Sequence, residues 1–393
     1  MKKKKIAFLV NSMGGGGAER VVSVLLEYFK DNKDYIFELI LLEDEHFYTI
    51  PNQIKTTILS NLTWSDSSLK RTAYIPILSY RLYRYIKQND IDFVLSFIYR
   101  SDFVNVLASF FGNHKFALSN RVNASTTYSD TSLSSKINNF LIKKLYPKAP
   151  LVINVSHGIK EDLYKNYNIP LQQQTVIYNP YNIEDIKQKS LEKIDFKTQK
   201  SQTIVVASRL DKVKNVHQVL DALANVTSPF TLIILGDGSQ TKALKDQAQK
   251  LGISKNVIFK GRVENPYKYM HNASIYISAS SSEGFPNALV EAMICQCAVI
   301  SSDCKSGPRE ILSPQSDFSH LLKEGVEYAP YGLLFGVDDT KALTQAINFY
   351  LKDFENSKHY AQEGYKRALE FDISKIAQEY IDTIKKELSS CVV

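Results

Sequence analysis

Residues 1–22, MKKKKIAFLVNSMGGGGAERVV, pass from a lysine run through IAFLV to four glycines and then into a helical pattern. IAFLV is too short for the apolar region of a secretory signal, so it reads as a buried strand that ends in a glycine turn. The helix after the turn begins near Ala18. A strand covered on both faces, turning through glycine into a helix, is the building unit of a parallel α/β sheet.

The unit recurs along the chain. In the first half the apolar runs FELILL, TTILS, FVLSF, KFALS, LVINVS and TVIYN follow, with helical patterns at 17–30, 68–89, 101–111, 131–147 and 157–166. The second half supplies TIVVAS, TLIILG, NVIFKG, SIYISAS, CAVISS and YGLLFG, again separated by helical stretches. Two such series imply two doubly wound α/β domains, and ligands of such sheets sit beyond the carboxyl ends of the strands. The cleft between the domains is the expected site. The polar, lysine-rich stretch YNPYNIEDIKQKSLEKIDFKTQKSQ marks the boundary, giving a first domain at 1–182, a second at 183–372, and a C-terminal helical segment at 373–393 that is expected to pack across the interface.

Composition narrows the function. A hydrophobic content of 44% with 23% charged residues is that of a globular protein, and no apolar run is long enough for a membrane-spanning helix. Cys295, Cys297, Cys304 and Cys391 do not form a disulfide framework, which points to a reducing cytoplasm. Cys295 and Cys297 have no second Cys or His pair at ligand spacing, and read as small core residues. Residues 1–190 hold 24 Lys and Arg against 17 Asp and Glu, whereas residues 191–393 hold 24 of each. The positive excess therefore lies in the first half, as expected of a face that meets an anionic partner.

The polar residues that follow strands are the candidates for chemistry. SSEGFPNALVEAM (281–293) places Glu283 on a loop and Glu291 one turn into a helix whose expected N-cap is Asn287. Free N–H groups at that helix start suit a phosphate, although Glu291 offsetting the helix dipole and Glu283 as a solvated loop acid explain the same residues. ASRLDKVKN puts Arg209 and Lys214 five residues apart after a strand, where two cations would neutralise a diphosphate or where ordinary surface charges would lie. LGDGS (235–239) and KGRVEN (260–265) follow further strands. The GGGG turn is not the dinucleotide fingerprint, because Glu19 stands where that pattern needs glycine. No D-x-D-type metal cluster and no nucleic-acid recognition motif is present.

In this order, Arg209 and Lys214, Gly236-Asp237-Gly238, Gly261-Arg262-Val263 and Glu283-x7-Glu291, together with the GGGGAER turn, resemble the retaining family 4 glycosyltransferases of GT-B fold. Within that family the chain is most similar to bacterial N-acetylgalactosaminyltransferases acting on undecaprenyl-diphosphate-linked glycans in N-glycosylation, an impression to which KLYPKA and NPYKYM add. The resemblance implies a UDP-sugar donor and no cofactor or metal. Glu291 would hold the ribose and Glu283 the donor sugar. Arg209, Lys214 and the helix start at Asn287, Ala288 and Leu289 would take the diphosphate, with Gly284 and Phe285 beside them. Arg262 and Val263 would line the uracil, and Gly16, Gly17 and Gly236 would border the donor. Arg209, Lys214 and Glu283 would be catalytic, with retention by front-face attack and no covalent nucleophile. Many relatives have a histidine after a first-domain strand where this chain has Asn120 and Arg121; Arg121 is either a contact to donor sugar or acceptor phosphate, or a surface arginine.

The acceptor implied is a polyprenyl-diphosphate-linked glycan, reached from the cytoplasm by peripheral binding to the inner face of the cell membrane. LKRTAYIPILSYRLYRYIKQ (69–88) is the clearest membrane-facing candidate. Leu78, Leu82, Tyr85 and Ile86 form an apolar stripe, Tyr80, Arg84 and Lys87 share another face, and Arg81 lies nearby. Lys143, Lys144 and Lys148 form a second candidate and Lys2–Lys5 a third. An ordinary helix with its stripe in the core is the alternative. The rival functions are glycosylation of a soluble or protein acceptor, a non-catalytic sugar-nucleotide-binding regulator and, more distantly, a nicotinamide oxidoreductase.

Overall fold

The computed structural model describes residues 2–389 apart from Trp64 and Lys197, so Cys391 lies outside the described residues. Its contacts divide the chain into two units: one runs to Pro180 and takes in the residues from Ile373 on, and the other is Tyr181–Asp372.

The first unit is built on a seven-stranded sheet of β1 (Lys4–Val10), β2 (Tyr35–Leu41), β3 (Lys55–Ile58), β4 (Phe93–Phe97), β5 (Lys115–Asn120), β6 (Val152–Asn154) and β7 (Gln174–Val176). The order is β3-β2-β1-β4-β5-β6-β7, and every pairing is parallel. The alternation of side chains along β1 shows why its run is apolar throughout. Ala7 and Leu9 face a core completed by Leu78, Leu82, Ile142 and Leu163. Ile6, Phe8 and Val10 face the opposite core, with Val22, Leu26, Ile376 and Tyr380. The latter two come from the last helix, Ile373–Ser389, which packs beside the helix Gly17–Phe29.

The candidate membrane stripe on the helix Ile75–Asn89 is a core stripe: Leu78 and Leu82 are fully buried and Ile86 nearly so, while Tyr85 donates to Glu38 at 2.6 Å. The amphipathic pattern therefore serves the fold, and any membrane contact has to use another face.

The second unit repeats the plan with β8 (Thr203–Ala207), β9 (Thr231–Leu235), β10 (Val257–Gly261), β11 (Ile275–Ser278), β12 (Ala298–Ser302), β13 (Val326–Ala329) and β14 (Gly332–Phe335), in the order β10-β9-β8-β11-β12-β14-β13. Only β13 runs antiparallel, against β14. Sequence reading missed β13: its residues VEYA are short and mixed in polarity, and only Ala329 is buried. Cys295, Cys297 and Cys304 are buried, and the Cys297 thiol donates to the Met270 carbonyl at 2.9 Å, as befits small core residues.

Beneath the helix Tyr99–Ser109 a buried polar chain ties β4 to its neighbours. Asp102 accepts from Ser96 Oγ at 2.6 Å and from Tyr146 Oη at 2.7 Å. Asn105 donates to Ser96 at 3.1 Å and meets His114 Nε2 at 2.9 Å. Burial raises the Asp102 carboxyl to about 7, against the opposing pull of those hydroxyls and of Arg121. Burial also lowers His114 to about 4. Folded Asp102 keeps a proton that the unfolded chain releases near pH 4, so its contribution to stability is lost as pH rises from about 4 to 7. Folded His114 refuses a proton that the unfolded chain takes up near pH 6.5, so its contribution improves from about pH 4 to 6.5. The stability of Asp102→Asn relative to wild type should therefore grow with pH across the first window, and that of His114→Gln should shrink across the second. Urea unfolding from pH 4 to 8 reads both; parallel curves for the three proteins would refute the two assignments.

Candidate active site

The strand order of the second unit reverses between β8 and β11. From β8 the chain adds β9 and β10 on one side, then crosses over to add β11 and β12 on the other. Such a reversal leaves a crevice at the carboxyl ends of the two strands. The loop after β8 carries Arg209 and Lys214; the loop after β11 carries Glu283 and leads into the helix Asn287–Ile294. The two loops are fastened where Ser281 N donates to the Val213 carbonyl at 2.9 Å.

Lys214 Nζ lies 2.6 Å from Glu283 Oε1, with the two side chains only 19% and 13% exposed. A charge-assisted contact this short and this sheltered fixes both groups, and it excludes the reading of Glu283 as a solvated loop acid. The Glu283 backbone is held from the far side, donating to the Lys305 carbonyl at 2.7 Å and accepting from Ser306 N at 2.8 Å. Glu291, one turn into the helix, is 2% exposed. Both carboxylates are near enough to Tyr276 on β11 to add to the burial that raises its phenol well above the ordinary range. Lys214 and Glu283 are thus held together, and Tyr276 feels the charge of both Glu283 and Glu291.

The helix start differs from expectation. Asn287 is the first helical residue, the cap position is Pro286, and no side chain caps the helix. The Asn287 Oδ1 instead accepts from Tyr181 Oη at 2.7 Å. Leu289 is fully buried and its N–H is spent on the Pro286 carbonyl at 3.1 Å, while Ala288 is half-buried. Phe285 is buried against Phe371, with ring centroids 5.5 Å apart, and so shapes the loop from beneath; Gly284 beside it is half-buried. Arg209 is the exposed member of the set, its side chain 75% accessible, with Nη1 3.0 Å from Asp211 Oδ2. Exposed Arg262 and half-buried Val263 follow β10, the edge strand, two strands removed from β8.

Gly236 has a structural task. Its φ is +125°, its N–H donates to the Gly261 carbonyl at 2.7 Å, and a Cβ there would sit 1.9 Å from the Ser208 carbonyl oxygen. The turn after β9 lies directly on the loop that carries Arg209, and Leu210 and Asp237 reinforce the contact through a 2.9 Å backbone bond.

The first unit reverses its order between β1 and β4. Gly16 precedes and Gly17 begins the helix that follows β1, and the turn is walled by carboxylates: Glu45 Oε2 lies 3.4 Å from where a Gly14 Cβ would be, and Glu19 Oε2 2.4 Å from where a Gly16 Cβ would be. Burial, with Glu45 adding to it, raises the Glu19 carboxyl. Sequence reading passed over Glu43, Arg71 and Arg100. Glu43 is 1% exposed, with Arg100 at 2.7 Å and Arg71 at 3.9 Å. The signal was available, since Glu43 and Arg100 follow β2 and β4 as closely as Arg209 follows β8. Arg121, at the end of β5, is not a surface arginine. It is 9% exposed, its guanidinium lies over the Phe97 ring, and it donates to Asn179 and to Tyr380 Oη, the latter at 2.6 Å. Among the described residues no group of three or more His, Cys, Asp or Glu is placed to hold a metal ion.

Gly236 and Gly252 separate crowding from backbone conformation, because Gly252 shares a positive φ but has nothing within 4 Å of its Cβ position. Gly236→Ala should cost about 3 kcal/mol or more, and Gly252→Ala about 1–2 kcal/mol. Equal losses in urea unfolding would show that the β9 turn is not pressed on the Arg209 loop.

Two families match the chain: Glycosyltransferase Family 4 over residues 15–185, and Glycosyl transferases group 1 over residues 187–367. The chain is 32% identical over 377 residues to the N-acetylgalactosamine-N,N'-diacetylbacillosaminyl-diphospho-undecaprenol 4-alpha-N-acetylgalactosaminyltransferase of Campylobacter jejuni, covering 96% of this chain and 98% of that one. A second C. jejuni protein, an alpha-1,4-N-acetyl-D-galactosaminyltransferase whose name gives a GalNAc-containing diNAcBac-PP-undecaprenol, is 26% identical over 392 residues, covering 97% and 98%. Among solved structures, Anabaena HepE in complex with UDP is similar with a TM-score of 0.75 at 21% identity, over 97% of this chain and 100% of that one, a likeness of fold.

Proposed function

The chain belongs to the family 4 glycosyltransferases, and we propose that it transfers N-acetylgalactosamine, or a related hexose or N-acetylhexosamine, from UDP to a polyprenyl-diphosphate-linked glycan in bacterial surface-glycan or N-glycan assembly. The observation that carries this reading is the sheltered Lys214–Glu283 pair at the β8–β11 reversal, with Glu291 buried in the helix that the Glu283 loop enters. The donor sugar and the lipid-linked acceptor are taken from the names of the C. jejuni relatives, and the UDP complex of a structural neighbour is consistent with the nucleotide.

On this reading Glu291 accepts hydrogen bonds from the ribose and Glu283 from hydroxyls of the donor sugar. Arg209 and Lys214 take up the charge that develops on the leaving diphosphate, which they would do more strongly in the transition state than in the ground state. A leaving group so stabilised needs no general acid. The leaving phosphate receives the acceptor proton on the face it vacates, so configuration is retained without a covalent intermediate and without a metal. Lys214 is bound to Glu283, and on this reading donor binding draws its ammonium toward phosphate while Glu283 turns to the sugar. The acceptor is met at the cytoplasmic face of the membrane, where the enzyme binds peripherally. The basic first half supports that placement, and among the described residues no helix is long and apolar enough to cross a membrane.

The roles separate in variants. Loss of a hydrogen bond to a charged group is worth about 1.5–3 kcal/mol, roughly 10- to 150-fold. Glu291→Ala should weaken UDP binding by that factor. Glu283→Gln should leave UDP affinity the same or tighter, because Lys214 is released, yet lower kcat by about 100-fold. Arg209→Ala should mainly slow transfer. Calorimetry with UDP and turnover with UDP-N-acetylgalactosamine read these effects, and unchanged UDP affinity in Glu291→Ala would overturn the donor site.

A second experiment tests the substrates. UDP release with a panel of UDP-sugars should require detergent-solubilised lipid-linked oligosaccharide and should persist in chelator. Release that ignores the lipid would reassign the acceptor to a soluble molecule, and tight UDP binding without turnover on any acceptor would indicate a binding role.

A further inference from the structure

With the apolar stripe of the helix Ile75–Asn89 in the core, its opposite side needs its own explanation. Tyr80 and Ile77 are 46% and 45% exposed there. They meet the turn after the helix Tyr99–Ser109, whose Phe110 and Phe111 are 62% and 49% exposed. The Phe111 ring centroid lies 5.6 Å from that of Tyr80 and 6.1 Å from that of Tyr83. Gly112 lets the turn close on the helix, for a Cβ there would come within 2.6 Å of Tyr83 Cε2. Phe110 and Phe111 are adjacent and exposed, and the Phe111 ring rests against Tyr80 and Tyr83, so apolar side chains are grouped at the surface as at an interaction site.

The charge around the cluster indicates what covers it. Arg84 and Lys87 continue the same side of the helix, one turn beyond Tyr80 and Tyr83, and both are exposed. The charge of Lys87 is felt at His114, three residues beyond Phe111. In the same helical layer, the helix Leu133–Leu145 packs on Tyr99–Ser109 and presents exposed Phe140 with Lys143 and Lys144. Protruding phenylalanines, tyrosines at their base and a cationic margin match the layers of an anionic bilayer: acyl boundary, headgroup and lipid phosphate.

We propose that the Phe110–Phe111 turn, backed by Tyr80 and Tyr83, is a membrane-docking wedge whose basic margin of Arg84 and Lys87 binds anionic headgroups. The inference rests on the reading that this enzyme works at a membrane, and it moves the attachment from the amphipathic stripe, which is core, to a turn between a helix and β5. Arg81 takes no part, because its guanidinium donates to the Leu59 carbonyl at 2.6 Å and lies over Tyr74.

The test uses the full-length protein and sedimentation with vesicles of phosphatidylcholine alone or with phosphatidylglycerol. Wild type should bind the anionic vesicles. Phe110→Ser/Phe111→Ser should bind them about tenfold or more weakly, since two aromatic side chains no longer leave water. Arg84→Gln/Lys87→Gln should lose the preference for anionic lipid by roughly 10- to 30-fold, at about fivefold per basic residue. Phe110→Trp should keep binding and shift its added fluorescence to the blue on contact with vesicles. Wild-type binding by the Phe110→Ser/Phe111→Ser variant would overturn the wedge. So would a wild-type dimer, seen by sedimentation velocity, that this variant abolishes while vesicle binding persists, because the patch would then belong to a second copy. UDP-sugar turnover on a short-chain, water-soluble acceptor separates the two readings. If it is unchanged in the Phe variant while vesicle binding falls, the wedge holds whatever the natural acceptor; if wild type requires lipid-linked acceptor but the variant still binds vesicles, the transfer reading stands and the wedge fails.

Discussion

The two loops at the strand reversal of the second unit meet in one sheltered ion pair, Lys214 against Glu283. Each partner alone would be a mobile loop side chain, and the pair exists because the sheet brings the two loops together at its reversal of strand order. The loops are also held from outside: the β9 turn presses on the Arg209 loop at Gly236, and the Lys305–Ser306 backbone grips Glu283 on both its N–H and its carbonyl. The pair is thus the visible end of a rigid arrangement of backbone. A cation and an anion that satisfy each other leave no sheltered charge uncompensated, and both can be offered to a ligand carrying phosphate and hydroxyl groups.

Much of the architecture was legible in the sequence, for a physical reason. Strands buried on both faces must be apolar at every position, so IAFLV, TIVVA or AVISS stands out from helices and loops of similar length. Where that reason lapses, legibility lapses with it. Strand β13 pairs on one side only and is largely uncovered, and its residues VEYA carry no continuous apolar run. The amphipathic helix after β3 was recognisable as a helix, but its period cannot say which apolar partner it meets; the packing of Leu78 and Leu82 against Ala7 and Leu9 decides that.

The candidate site was legible to the extent that its residues follow strand ends. Lys214 and Glu283 were found that way and form an ion pair, and Glu291 is buried in the helix that the Glu283 loop enters. The finer reading of the EGFPNAL segment depended on local geometry that sequence does not encode. Asn287 is an excellent cap by residue type, yet here it occupies the first helical position, where Tyr181 claims its side chain across 106 residues of chain. Likewise the sequence leaves Arg121 open between a substrate contact and a surface arginine, and only the fold shows Phe97, Asn179 and Tyr380 around it. Each of these outcomes depends on a contact distant in sequence.

The two sheets share the order of their first five strands, but the side chains at their reversal points differ. At β8–β11 the loops carry two cations, each paired with a carboxylate: Arg209 with Asp211 and Lys214 with Glu283. At β1–β4 the glycine turn is walled by Glu19 and Glu45, and the nearby Arg100 is already engaged by buried Glu43. A carboxylate-walled turn repels phosphate and accepts hydrogen bonds from hydroxyl groups, so on physical grounds it suits a sugar better than a nucleotide diphosphate. The basic excess of the first half lies elsewhere on that unit. The exposed Arg84, Lys87, Lys143 and Lys144 of the helical layer are where the fold leaves it.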